Sequence, residues 1–283
     1  MQQGLINKIS ICGCGWFGLP LAKHFVQLGI ETWGSKQDTE KAQALAESGI
    51  HGVALTLPLS LEDPAALAPQ IKQFFNTDLL VINVPPGRGK DAAEELIAKI
   101  KRLSDTAKAL GCRKVVFIST TAVYGTCKGV IKETTEPRPN TLSGKAHLAI
   151  EKYLLAEWGS KALVVRFSGL IGPNRHPVRF LSGRQGIENG MDRVNLIHLD
   201  DCITAISQLL NHWPQQQVLH LASAQHPTRE EYYCKMAQLA GLPLPVFTDS
   251  IDQNTKVIDA AQTCQWLSMN NDHDNLLSEP PEL

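Results

Sequence analysis

The sequence predicts an α/β protein built on a doubly wound parallel sheet, followed by a smaller C-terminal α/β lobe. Short β-like runs alternate with helical patterns along most of the chain. Several of these runs are continuously apolar, as parallel strands buried on both faces must be. The first run also leads straight into a glycine-spaced loop, ICGCGWFG, which opens a helix.

Seven strands are expected in order: KISICG at 8–13, IETWGS at 30–35, GVALTL at 52–57, LLVINV at 79–84, KVVFIS at 114–119, ALVVRF at 162–167 and VLHLAS at 218–223. Helices fit between them. LPLAKHFVQLG follows the first strand, and AAEELIAKIKRLSDTAKALG follows the fourth and stops at Gly111, a residue suited to ending a helix. After Phe167 the pattern loosens through a segment rich in Gly, Pro, Arg and Asn. Helices then return at about 199–210 and 228–239, and the polar tail from Asn270 is expected to fray. The boundary is drawn between residues 167 and 168, with one late strand returning to the main sheet. Right-handed crossovers place a ligand at the carboxyl ends of the strands.

Composition narrows the function. The chain has 283 residues, 43% hydrophobic and 19% charged, with a formal net charge of -1. That balance gives no electrostatic case for nucleic acid or an anionic membrane. No apolar run reaches a membrane span, and the N-terminal apolar run feeds a loop rather than a signal-peptide cleavage site. Seven cysteines, an odd number without a framework, fit a reduced cytoplasmic setting. Cys12 and Cys14 lack further ligands at metal spacing, so no metal is expected. The expected partner is a small molecule, with a homodimer left open.

Gly13, Gly15 and Gly18 stand in G-x-G-x-x-G spacing, with Trp16 and Phe17 inside the loop. In a strand-to-helix context the first glycine permits a tight turn, the second lets backbone approach a pyrophosphate, and the third allows close helix–strand packing. This is a Rossmann-type dinucleotide site. At the end of the second strand an acid would bind the ribose of NAD. Here Ser35 and Lys36 stand there, a hydroxyl and a cation suited to a 2′-phosphate. NADP is therefore the expected cofactor, with NAD the alternative through Asp38. Pro85 and Pro86 hold an extended turn after the fourth strand, where a cofactor would cross the sheet edge. Arg88 beyond them is either a phosphate ligand or a solvated loop residue.

The segment ISTTAVYG, with ETTEPRPNTLSGKAHLAIE, RFSGLIGPNRHP and VNLIHLDDCITAI, resembles the extended short-chain dehydrogenase/reductase superfamily of sugar-nucleotide epimerases and dehydratases. The similarity runs from about residue 8 to 240. It is nearest to the atypical members of the NAD-dependent epimerase/dehydratase-like type, which keep the glycine motif and lack the usual catalytic tyrosine. The resemblance implies a Ser or Thr, a Tyr and a Lys as the catalytic set. By position these map to Thr120, Ser143 and His147. A serine hydroxyl is a far weaker acid than a phenol and cannot take its role. Lys145, two residues on, points elsewhere on the helix.

Helix phase puts Ser143, His147, Ile150 and Leu154 on one inward face. His147 is then either a histidine bonded in place or an acid–base group near a nicotinamide. Ser143 is either a helix-start residue or a remnant of the site. Tyr124 either packs in its turn or supplies the missing phenol. Arg175 and His176 either bind an anionic substrate or cap a turn; Asn195 and His198 border the substrate segment of the resembling enzymes, and His198 alternatively pins its loop to the following helix. The expected function is an NAD(P)-dependent oxidoreductase or isomerase acting on a small carbonyl or sugar-nucleotide-like substrate with a modified site. The alternative is a non-catalytic NADP-binding sensor.

Overall fold

The computed structural model describes residues 6–59, 66–87, 91–248 and 255–283. In chain order the elements are β1 (Lys8–Cys12), α1 (Gly18–Gln27), β2 (Glu31–Lys36), α2 (Thr39–Gln43), β3 (His51–Ala54), α3 (Pro69–Phe75), β4 (Leu79–Ile82), α4 (Ala92–Ala109) and β5 (Lys114–Thr120). These are followed by β6 (Val130–Ile131), α5 (Leu142–Trp158), β7 (Ala162–Phe167), β8 (Gly169–Ile171), α6 (Val178–Leu181), β9 (Leu196–His198) and α7 (Leu199–Gln208). The last elements are β10 (Val218–Leu221), α8 (Arg229–Leu239), β11 (Val257–Ile258) and α9 (Ala261–Leu267). All seven expected strands are present.

The main sheet has the order β10-β7-β5-β4-β1-β2-β3. β1 pairs in parallel with β2 on one side, Ile9 opposite Thr32, and with β4 on the other, Ile9 opposite Leu79. The winding direction reverses between β1 and β4, which creates the crevice where this fold binds ligands. Every residue of β4 and β7 is buried, which explains their unbroken apolar character. α4 turns Leu96, Ile100, Leu103 and Ala107 inward at helical spacing, and Gly111 follows it with φ +92°. α4 packs on α5, where the Trp158 indole N–H donates to Ser104 Oγ at 2.8 Å. Among the described residues no helix is long and apolar enough to cross a membrane.

Two compact units emerge, and they interleave along the chain. The first comprises residues 1–123, 139–165 and 210–218; the second comprises 124–138, 166–209 and 219–283. The sequence reading draws a single boundary at 167/168, whereas the chain passes between units within β7 and β10.

The second unit contains two small parallel pairs, β8 with β9 and β6 with β11. Its core gathers Ile171, Val178, Val194, Leu196, Tyr232, Met236 and Leu276. The tail does not fray as expected. Leu276 is buried in that core, Asp201 accepts from the Asp272 and His273 N–H groups, and Asn271 Nδ2 donates to the Ala222 carbonyl. Polar composition suggested fraying; the long-range carboxylate and carbonyl partners that hold the segment leave no local sequence mark.

His176 also belongs to this core rather than to an anion site. It is 5% exposed; Nδ1 accepts from the Val178 N–H at 3.2 Å, so Nε2 carries the proton and donates to the Tyr232 hydroxyl at 2.8 Å. Burial pushes its pKa down to about 4. A neutral, internally bonded imidazole has no charge to offer an anionic substrate. The unfolded chain takes up this proton near the ordinary histidine value, while the folded protein refuses it until about pH 4. The site therefore destabilises the fold progressively as pH falls from about 6.5 to 4, by at most about 3 kcal/mol. In urea unfolding at a series of pH values, His176→Gln should lose less stability than the parent across that window. A stability difference between the two proteins that does not change with pH would refute the assignment.

Candidate cofactor and active site

The glycine loop starts where β1 ends. Gly13 has φ +101°, and a Cβ there would lie 2.2 Å from the Asn83 carbonyl oxygen. Gly18 is equally constrained, because its Cβ would lie 2.2 Å from the Gly13 carbonyl oxygen. Gly15 differs from both: a Cβ there meets nothing within 4 Å. Two glycines thus allow backbone to pack on backbone, and the third leaves an open approach beside the start of α1. That division of labour fits a pyrophosphate at Gly15, with the helix N-terminus contributing partial positive charge.

Ser35 proves to be part of this scaffold. It is 4% exposed, its hydroxyl accepts from the Gly13 N–H at 3.0 Å, and its carbonyl accepts from the Cys14 N–H at 3.0 Å. The hydroxyl expected to meet a 2′-phosphate instead fixes the glycine turn. Lys36 ends β2 half-buried, and Asp38 caps α2 by accepting from the Lys41 N–H at 2.9 Å. Phe17 is 3% exposed, so its side chain serves the core and not a ligand face, while Trp16 is half-buried. Cys12 and Cys14 are buried, and burial pushes their thiols up to about 12 and about 11. Pro85 and Pro86 are exposed beyond β4; Arg88 lies outside the described residues.

Asn83 was missed by the sequence reading. Its Nδ2 donates to the Gly13 carbonyl at 3.1 Å and its N–H to the Cys12 carbonyl at 2.9 Å, joining β4 to the loop at the point where the sheet reverses. The available signal was a polar residue directly after the apolar LLVI run.

Thr120 ends β5 half-buried, and its hydroxyl accepts from the Ala122 N–H at 3.1 Å. α5 is capped by Thr141, whose Oγ1 accepts from the Gly144 N–H at 3.0 Å. Ser143 is therefore not the cap; it lies half-buried in the first turn. A Cβ at Gly144 would come within 2.9 Å of the Ala122 carbonyl oxygen, so this glycine lets the start of α5 lie against the segment after Thr120. His147 is 6% exposed, and its ring lies 5.8 Å from Phe117 in a stacked arrangement. Nδ1 donates to the Ser143 carbonyl at 2.9 Å, which leaves the lone pair on Nε2. One turn on, buried Glu151 accepts from the Ser119 hydroxyl. The inward face thus contains His147, Ile150 and Leu154 as expected, together with a carboxylate that the sequence reading passed over. Lys145 is exposed.

Tyr124 is closed within the second unit. It is fully buried, accepts from Arg166 Nη1 at 2.6 Å, and lies 2.5 Å from His220 Nε2. The His220 Nδ1–H donates to the Asp259 carbonyl at 2.9 Å, so Nε2 receives the phenol proton. The Arg166 guanidinium also lies over the Tyr124 ring. Tyr124 and Lys128 form a literal Tyr-x-x-x-Lys spacing, but on the turn after β5 and not on a helix. A phenol committed to buried partners is scaffold, which corrects its candidacy as the replacement donor.

Asn195 and His198 are likewise engaged. Asn195 donates to the Lys256 carbonyl at 2.9 Å and accepts from the Ile258 N–H at 2.7 Å, standing in for a strand backbone beside β11. His198 caps α7 by accepting from the Asp200 N–H, and its Nε2 donates to Glu282 at 3.0 Å. Both hold their own unit together, and His198 does so as the pin between loop and helix. Arg175 is exposed, in a tight turn closed by reciprocal backbone bonds with Gly172.

These features can be set beside known proteins. The Escherichia coli K12 protein YeeZ is 33% identical over 278 residues, covering 98% of this chain and 100% of that protein. Among solved structures, the NAD complex of UDP-glucuronic acid 4-epimerase from Bacillus cereus superposes with a TM-score of 0.75 at 18% identity, covering 96% of this chain and 97% of that one. An NAD-bound short-chain dehydrogenase/reductase superfamily protein from Agrobacterium tumefaciens gives a TM-score of 0.76 at 16% identity, covering 95% and 94%. The profile of the NAD dependent epimerase/dehydratase family matches residues 10–222, and with the strand order and glycine loop described above it establishes that this chain belongs to that family.

Proposed function

We propose that the chain binds NADP(H) at the glycine loop and acts as an oxidoreductase or isomerase on a small carbonyl or sugar-nucleotide-like substrate, with an altered proton-transfer set. The observation that carries this reading is the contrast within the loop, where Gly13 and Gly18 are crowded by backbone and Gly15 faces open space. A bound nicotinamide would supply hydride transfer, leaving the protein to orient the substrate and handle one proton. In this reading the loop from Gly13 to Gly18 holds the pyrophosphate. Lys36 meets the 2′-phosphate without help from Ser35, whose hydroxyl is already engaged. The Thr120 hydroxyl orients the substrate. His147 is the proton carrier through Nε2, because Nδ1 is committed to Ser143. The B. cereus epimerase, named for a UDP-sugar, supports the substrate class at the level of fold analogy.

A second reading, a non-catalytic NADP-binding sensor, is favoured by a different observation. Tyr124, His176 and His198 spend polar atoms on internal partners.

Gly15→Val should lower NADP affinity by about 100-fold or more, roughly 2.7 kcal/mol, with little change in melting temperature. Gly13→Ala and Gly18→Ala should instead destabilise the fold, since each forces a methyl group against a carbonyl oxygen. Calorimetric titration and thermal melts separate the two effects, and a folded Gly15→Val protein with parental affinity would place the cofactor elsewhere.

Lys36→Ala should weaken NADP about tenfold and leave NAD within about twofold. Equal affinity of the parent for both nucleotides would reject the NADP assignment.

The proton carrier is tested with NADPH and a panel of carbonyl and sugar-nucleotide compounds. His147→Gln should lower kcat by about 100-fold or more while leaving NADP affinity within about twofold. Tyr124→Phe should cost about 1–3 kcal/mol of stability, by leaving Arg166 and His220 without their shared partner, and change kcat little once folded. Tight NADP binding with no turnover across the panel would favour the sensor reading.

A further inference from the structure

The second unit contains a cluster that neither the cofactor loop nor the α5 positions use. His198, Asp200 and His273 each offer one ligand atom, and these atoms lie within 4.8 Å of one another. His198 Nδ1 is 3.7 Å from Asp200 Oδ2, and His273 Nε2 is 3.8 Å from the same oxygen. Donors at about 2.1 Å from a tetrahedral zinc ion lie about 3.4 Å apart, so small side-chain adjustments close the set.

The outer faces of both imidazoles carry a second signal. His198 Nε2 meets Glu282 Oε1 at 3.0 Å, and His273 Nδ1 meets Glu279 Oε2 at 2.7 Å. A carboxylate on the far nitrogen fixes the tautomer and directs the other nitrogen's lone pair inward, the arrangement that supports histidine ligands in metal sites. The two rings lie 3.8 Å apart between centroids at an interplanar angle of 33°, so they must swing apart for both in-plane lone pairs to reach one ion. A small cavity is bordered by His198, His273, Glu279 and Glu282. The inner lone pair of His198 at present meets the Asp200 N–H at 3.2 Å, a long contact with which a metal would compete.

We propose that His198, Asp200 and His273 form a divalent transition-metal site of the zinc class, with Glu282 and Glu279 as supporting carboxylates, which clamps the C-terminal segment onto the start of α7. Imidazole and carboxylate donors suit zinc better than magnesium or calcium. The role is structural, because His273 and both glutamates belong to the terminal segment, whereas His198 and Asp200 belong to the β9–α7 junction.

The test uses the full chain after chelator treatment. Calorimetry with zinc should show about one equivalent bound, and zinc should raise the melting temperature. His273→Ala and Asp200→Asn should abolish or weaken that binding by about tenfold or more, and Glu279→Gln should weaken it by about tenfold, acting through His273. Circular dichroism verifies that each variant is folded; the two carboxylate changes are at half-exposed or exposed side chains and keep the test open if His273→Ala misfolds. Cobalt in place of zinc should give visible bands of a low-coordinate site without thiolate charge transfer. Three outcomes would overturn the proposal. One is no binding. The others are binding unchanged in the folded variants, or a thiolate signal assigning the metal to cysteines.

Discussion

The carbonyl of Gly13 is where three parts of the first unit meet. It accepts from Asn83 at the end of β4 and from the Gly15 N–H within its own loop, and α1 passes so close at Gly18 that no side chain fits. Backbone atoms in close contact cannot yield as a side chain can, so this arrangement fixes the direction of α1 and the spacing of β1 and β4 at once. The Ser35 hydroxyl adds a strut from β2 to the Gly13 N–H. The opening at Gly15 exists because everything around it is locked, and any ligand arriving there meets a preformed surface.

Much of this was legible in the sequence, for a physical reason. Parallel strands buried on both faces require apolar runs, and several of the seven runs from KISICG to VLHLAS, above all LLVINV and KVVFIS, supply them. The glycines were legible because only glycine tolerates such approaches. Partners distant in sequence were not. Ser35 looked like a phosphate ligand because its real partner lies 22 residues earlier, and Asn83 drew no notice because its partner lies 70 residues away. The α5 cap illustrates a local ambiguity. Thr141 and Ser143 are both hydroxyl residues two positions apart, and the extended backbone of Thr141 (φ −109°, ψ 154°) decides between them.

A common thread joins Tyr124, His176, Asn195 and His198. Each is a residue type that does chemistry in enzymes, and each here completes a hydrogen-bond account inside the second unit. Buried polar groups must be paired, and the strand pairs β6–β11 and β8–β9 of this unit are only two and three residues long. Side chains then take over that work: an amide imitates a strand, an imidazole caps a helix, and a phenol bridges a guanidinium and a histidine. Residue type alone cannot separate this use from catalysis; the partner atoms do.

The interleaving of the two units has a consequence for how such a chain can change over generations. Residues 124–138 belong to the second unit although they precede α5 of the first, and residues 210–218 return to the first after most of the second has been laid down. Neither unit is a cassette. Recombination at a single point would separate β6 from its partner β11, or remove the residues that lead into the edge strand β10. A single crossover therefore cannot exchange one intact unit for another; that would take a cut at every boundary between the interleaved segments.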